Sequence, residues 1–299
     1  MVEMSTMISS GARIGSGYVL LRSQPSGPIG VRWLAQSPDG SQRLIDIVNV
    51  AQSPYLKALC ENSSLCKDEF PHPKNVINLL EVGWVSSEIY YQVLDLATDA
   101  QRLSEMQFAK PLTDLELWRM AGDIVGGIHR IRTAVGAVVP HSLYVQAGSI
   151  CVGDYWWGHH MAGGGPYCKA LASFLPDHWP LHYLPFLAPE ALKGEEITSS
   201  ADVFSIGVVL FKLLTGVYPR NIEPSYNHAA YRHELLMSKY YKITELRTGL
   251  NKQTISLIQQ MLATDEKARV ELIMLDVLIK HIKRDLGEPV DPEDEWIFR

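Results

Sequence analysis

The chain reads as an α+β protein of two lobes: a small antiparallel β-rich lobe carrying one helix, followed by a larger, mainly helical lobe. Two patterns predict this. Early in the chain, short runs rich in β-branched and aromatic residues at 18–23, 31–36 and 43–50 are separated by Pro25-Ser26-Gly27-Pro28 and Pro38-Asp39-Gly40. Such turn chemistry suits successive antiparallel strands. Later, residues 114–132, 200–215, 228–241, 252–262 and 270–284 carry apolar side chains at helical spacing. Between these blocks the pattern predicts a helix over 54–66 and strands over 76–82 and 89–94, and the polar stretch 97–104 reads as a connection between lobes. The expected organisation is an N-terminal extension (1–17), a first lobe (18–96), a linker (97–104), a second lobe (105–284) and an acidic tail (285–299). No internal repeat or low-complexity tract interrupts it.

Composition narrows the function classes. With 299 residues, 46% of them hydrophobic, the chain can bury a sizeable core. A formal charge of −6, a pI near 5.9 and scattered Lys and Arg argue against a nucleic-acid partner, which calls for a basic stripe. No apolar run approaches the roughly 20 residues of a membrane helix. The start, with Glu3 and no apolar core segment, does not read as a signal peptide, which leaves the compartment open between the cytosol and secretion. The four cysteines, Cys60, Cys66, Cys151 and Cys168, form neither a CxxC pair nor a Cys/His cluster with zinc spacing, so no structural metal is expected. Two disulfides, in any of three connectivities, and buried thiols both remain open.

The most specific pattern lies in the second half. Ala188-Pro189-Glu190 precedes the segment 199–216, which begins Ser199-Ser200-Ala201-Asp202, ends Thr215-Gly216 and is followed by Pro219. The segment predicts a Ser-capped helix, apolar nearly all round and stopped at a glycine, and therefore a buried post. It resembles the end of the activation segment and the long helix after it in the protein kinase family. Residues 257–262, followed by Asp265 to Arg269, resemble that family's later helix and its Asp-x-x-x-Arg turn. The resemblance implies a protein-kinase-like fold, a buried ion pair of Glu190 with Arg269, and a further structural position at Asp202. It extends over residues 18–284 but is specific only in the second half.

Carried backward, the resemblance aligns Val152-Gly153-Asp154-Tyr155-Trp156 with the strand and Asp-Phe-Gly motif that hold magnesium. Of that motif only Asp154 remains, as the candidate for a cation. Pro140-His141-Ser142-Leu143-Tyr144-Val145 resembles the Pro-x-Asn stretch and the strand after it, which puts Ser142 where a metal-binding Asn would stand. The His-Arg-Asp loop then falls on Thr133 to Val139, with Ala137 in the place of the catalytic Asp. No Asp or Glu occurs between Asp123 and Asp154. In a working kinase these positions carry magnesium and orient the substrate hydroxyl, which an alanine methyl cannot do.

In the first lobe, Pro25, Gly27 and Gly30 sit at the position of the Gly-rich phosphate-covering loop, where prolines remove backbone donors. Arg43-Leu44-Ile45-Asp46 falls on Val-Ala-Ile-Lys, so Asp46 stands where a lysine would hold the phosphates. A register that uses Gly15-Ser16-Gly17 as the loop moves the lysine position to residues 32–35 and finds no lysine either, since none precedes Lys57. Two readings of Asp46 stay open. It pairs with Lys57 in a charge-swapped contact that Glu61 could not make, or it is solvated.

Other conspicuous residues carry weaker signals. His129, His141, His159 and His160 suggest solvent-facing imidazoles before acid–base chemistry. Trp156 and Trp157, ahead of Gly163-Gly164-Gly165, offer aromatic surface to fill a nucleotide cleft, and Trp296-Ile297-Phe298 could dock on the domain or a partner. As a whole the resemblance implies a pseudokinase: not an enzyme, with neither ATP nor magnesium, acting as a binding or allosteric scaffold on a protein partner such as an active kinase or its substrate. The chain also resembles the secreted rhoptry-type kinases and pseudokinases of apicomplexan parasites, which combine degraded catalytic loops with a Leu/Val-Gly-Asp strand. Two alternatives are a nucleotide-binding inactive switch and a divergent kinase or nucleotidyl transferase. The latter would need a replacement cation from Arg22, Arg32 or Arg43 and a replacement base from Asp154 or Asp123.

Overall fold

A computed structural model of the chain describes residues 8–24, 30–51, 57, 60–61, 74–108, 110–131, 134–153, 181–220, 222, 227–292 and 294. The first lobe is a six-stranded antiparallel sheet of β1 (Arg13–Ile14), β2 (Tyr18–Ser23), β3 (Val31–Gln36), β4 (Gln42–Asn49), β5 (Leu79–Ser86) and β6 (Ile89–Leu94), in the order β1-β2-β3-β4-β6-β5. The period of two along a strand divides its residues between two cores. On β4, Ile45 and Ile47 join Ile14, Leu20 and Val93 in a small cluster on one face, whereas Leu44 and Val48 face the core that continues into the second lobe. A strand buried on both sides reads as a nearly continuous apolar run, and Leu44 to Val48 is one except for Asp46.

The sheet begins earlier than the expected lobe boundary at residue 18, because β1 pairs Arg13 with Val19 and Ile14 with Tyr18. The fifth strand lies three to four residues beyond the expected 76–82. Residues 97–104 are more than a linker. They carry β7 (Gln101–Arg102) and a 3-10 turn (Leu103–Glu105), and β7 joins β8 (Leu143–Gln146) and β9 (Ser149–Val152) in a three-stranded sheet. A strand of two residues has too little alternation to show in the sequence. Of the helix expected over 54–66, Lys57, Cys60 and Glu61 are described and helical; Cys66, with most of that segment, lies outside the described residues.

The second lobe is built on α1 (Asp114–Ile131), α2 (Pro189–Lys193), α3 (Ser199–Thr215), α4 (His228–Met237), α5 (Ile243–Leu246), α6 (Lys252–Met261) and α7 (Leu272–Asp285). α1 starts in a reciprocal cap: the Thr113 hydroxyl accepts from the Glu116 N–H at 3.2 Å, and the Glu116 carboxylate accepts from the Thr113 N–H at 2.8 Å. α3 is capped by Thr198 rather than Ser199, and it ends at Gly216 with φ 79°. From Ala201 to Phe211 every residue of α3 is buried, and each fully buried Val, Leu, Ile or Phe side chain contributes about 1.5–3 kcal/mol. The Trp118 indole on α1 donates to the Thr254 hydroxyl on α6 at 2.9 Å, both buried, so the helices meet in one register. Among the described residues no helix is long and apolar enough to cross a membrane.

The lobes join where residues 75–77 run beside β9. Ile77 N–H donates to Val152 O and Val152 N–H to Asn75 O, each at 2.9 Å. α1 closes on this junction at Gly127, where an added Cβ would fall 2.5 Å from Asn75 O. Gly127→Ala should therefore destabilise the protein by about 1–3 kcal/mol through overpacking. Gly122→Ala on the same helix, where the methyl would meet Ile279 at 3.6 Å, should be neutral or stabilise by up to about 1 kcal/mol. Urea midpoints of the two variants check the contrast.

Candidate functional site

The site expected from the sequence is the cleft between the lobes. Its roof is the face of β3 and β4 that carries Arg32 and Asp46, cross-strand partners in the antiparallel register. Asp46 is only 5% exposed and Arg32 only 3%. Arg32 Nε donates to Asp46 Oδ1 and Nη2 to Oδ2, both at 2.6 Å, a bidentate pair in which both carboxylate oxygens are used. Its remaining Nη1 donates to the Tyr144 hydroxyl on β8 at 2.6 Å, and the guanidinium lies 5.3 Å from the centroid of that ring. One arginine thus ties two strands of the first lobe to the floor of the cleft.

This geometry replaces both readings of Asp46. The carboxylate is not solvated, and its partner is Arg32; Lys57 and Glu61 are exposed. A buried carboxylate next to a guanidinium on the neighbouring strand needs no cation from a helix. Of the three arginines considered as replacement cations, Arg22 is exposed on β2, Arg43 is half-buried and donates to Gln42 O at 3.4 Å, and Arg32 is engaged as described. Gly30 packs on β4, its φ of 134° and the 2.5 Å from an ideal Cβ to Ile47 O both requiring glycine. Pro25 and Gly27 lie outside the described residues, as do Asp154, Trp156, Trp157, His159, His160, Cys168 and the segment Trp296 to Phe298.

The floor is the loop 134–142. Asp202, fully buried near the start of α3, accepts from Val135 N–H through Oδ2 and from Gly136 N–H through Oδ1, both at 2.8 Å. The next residue, Ala137, is buried at 5% exposure, and Val138 and Val139 are fully buried. Ser142 is turned inward: its hydroxyl donates to Val139 O at 3.0 Å, and its carbonyl accepts from Gly153 N–H at 2.8 Å. Asp123, the other candidate base, sits on α1 behind β9 and accepts from Ile150 N–H at 2.9 Å. Burial raises its pKa, while that hydrogen bond opposes the rise. His129 is half-buried on α1. His141 stands 4.4 Å from the His182 ring, and burial first, then the nearby His182, Arg102 and Lys212, hold its pKa down at about 4. Cys60 is buried, which pushes its thiol up to about 12, and Cys151 is half-buried on β9.

ATP with magnesium would need an uncommitted cation for its phosphates and hard oxygen ligands for the metal. Arg32 is committed to Asp46, Asp46 to Arg32, and Ser142 to Val139, and among the described residues no cluster of three His, Cys, Asp or Glu could hold an ion.

Below the cleft, Glu190 in α2 and Arg269 form a bidentate pair with contacts of 2.5 and 2.8 Å. Arg269 also donates to Ala263 O and Ser200 O and lies 5.0 Å from the Phe204 ring centroid. Both partners are buried. Glu190→Ala should therefore cost about 3–5 kcal/mol, because it strands a buried guanidinium; the urea midpoint reads the loss. Burial pushes the Asp202 carboxyl up to about 7, against the opposing pull of its two backbone donors. A carboxyl raised on folding from 3.8 contributes stability that is full below about pH 4 and is lost as pH rises through 7. His141 acts in the opposite sense between about pH 4 and 6.5. The difference in stability between the protein and Asp202→Asn therefore isolates the carboxyl: it should shrink as pH rises from 4 to 7, the variant being less stable because its NH2 faces a backbone donor.

Comparisons with known proteins agree with this geometry in the second lobe. The model of the protein kinase domain matches residues 181–281, the stretch from the turn before α2 into α7. The chain is 24% identical over 210 residues to the Aurora/IPL1-related protein kinase 2 of Caenorhabditis elegans, covering 67% of this chain and 61% of that protein. It is 23% identical over 291 residues to the calcium and calcium/calmodulin-dependent serine/threonine-protein kinase of Pisum sativum, covering 94% and 51%. It is 24% identical over 203 residues to the serine/threonine-protein kinase H1 of Mus musculus, covering 66% and 45%. The chain thus spans between about half and three fifths of the length of these relatives. These findings correct the expectation that the chain is not an enzyme: both the matching model and these relatives are protein kinases by name, and the likeness points to a protein kinase enzyme at low identity. With its antiparallel first lobe and helical second lobe, the chain is a kinase-like protein with the bilobal protein-kinase-like fold.

Proposed function

We propose that this chain acts on a protein partner by binding it, as a kinase-like scaffold or allosteric module whose cleft is held by its own side chains in place of a nucleotide. The observation that carries the reading is the link of Asp46 through Arg32 to Tyr144. A neutralised pair joined to an aromatic ring, in place of a free cation, supports this reading. The second lobe keeps the ion pair and buried post that support a docking surface, and the acidic balance of the chain favours a protein over a nucleic acid as partner.

The likeness to named protein kinases favours a second reading, a divergent kinase or nucleotidyl transferase. That reading needs a carboxylate from outside 124–153, a stretch without Asp or Glu. A thermal-shift titration with ATP, with and without magnesium, separates the two. A ligand at 100 times its dissociation constant stabilises by about 2.7 kcal/mol. The proposal expects no shift. A shift accompanied by transfer of phosphate or AMP would replace it with the second reading, and a shift without transfer would make the chain a nucleotide-binding switch.

A further inference from the structure

After β7 the chain turns through Leu103–Glu105 and crosses the C-terminal end of α3 before entering α1, leaving a groove of about 720 Å³. Its floor is apolar, with Leu103, Leu112 and Phe186 buried beneath it, and Phe108 stands on its rim with 37% of its surface exposed. Two cations line it, Lys110 and Lys212, and among the described residues no Asp or Glu does. The Lys212 ammonium rests 3.9 Å above the Tyr218 ring centroid and donates to the Tyr218 hydroxyl at 2.8 Å, a contact that leaves its charge uncompensated by a carboxylate. His141 also lines the groove, and its buried Nδ1 has no hydrogen-bond partner among the described residues.

We propose that this groove docks an acidic, aliphatic segment of a protein partner. An exposed aromatic above an apolar floor anchors one large aliphatic side chain. Lys110 and Lys212, with no Asp or Glu among the described residues lining the groove and Glu116 outside that lining, supply the charge complement for an Asp or Glu beside it, and reject a basic segment by like-charge contact. The inference deepens the binding reading above by naming the partner's chemistry, and it rests on that reading.

The test uses the full chain against immobilised peptides built on Leu with Asp and Glu, matched to counterparts in which Lys and Arg replace the acids. Retained peptides are then titrated by fluorescence anisotropy. The acidic set should be selected, its binding should weaken as salt rises, and Lys110→Glu and Lys212→Glu should each lower affinity about tenfold or more. Because Lys212 also packs on Tyr218, the exposed Lys110 provides the variant that leaves the fold undisturbed. Selection of basic peptides, retention of neither set, or acidic-peptide affinity unchanged in Lys110→Glu would each overturn the assignment. The nucleotide titration reads the cleft and the peptides read the groove. ATP binding together with acidic-peptide selection would remove the scaffold reading and keep the groove, whereas the reverse result would do the opposite.

Discussion

The second lobe is organised by the burial of α3 on all sides. A helix with no wet face must have every polar group on it satisfied by protein, so its few polar side chains dictate where neighbouring segments go. Asp202 draws the backbone of Val135 and Gly136 onto the helix, and Ser205 donates to Phe186 O at 2.9 Å, fixing the turn that leads into α2. Phe204, between them, is flanked by the guanidinium groups of Arg220 and Arg269 at 5.2 and 5.0 Å from its centroid. The loop under the cleft, the turn before α2 and the Glu190–Arg269 pair are thus placed by one post.

The first lobe depends on a different device. Arg32 and Asp46 put a full ion pair inside the sheet, beside the buried Gln92 of β6, an arrangement whose desolvation cost offsets much of its attraction. Its value lies in geometry. With both oxygens of Asp46 and the third nitrogen of Arg32 engaged, strands β3 and β4 are tied to β8 in one arrangement, and Tyr144 is fixed by its hydroxyl and its ring together. The chemistry of the cleft face and the relation of the lobes are coupled through one guanidinium.

Similarity is found at two scales: a relative aligns over 291 residues of the chain at 23% identity, whereas the kinase-domain model matches a shorter stretch. The kinase-domain match is confined to residues 181–281, where burial of α3 and the ion pair constrain the sequence most tightly. The cleft-facing residues lie outside it. Packing restricts a core position to a few shapes, whereas a polar pair can be exchanged for another if both partners change together.

The sequence by itself determined the division into a β-rich and a helical lobe, the run of α3 and the nearness of its cap to residue 199. These rest on periodicity and local turn chemistry, which a single chain displays directly. It also exposed the absence of any acid between Asp123 and Asp154, since an absence needs no alignment. It did not reveal β1 or β7, whose two residues are too short to alternate, or the Thr198 cap one residue ahead of the expected serine. Only the tertiary structure decided what Asp46 does. The choice between Lys57, solvent and Arg32 is made by strand register and by which face of β4 turns inward. Register is a long-range pairing that no local pattern around Asp46 encodes.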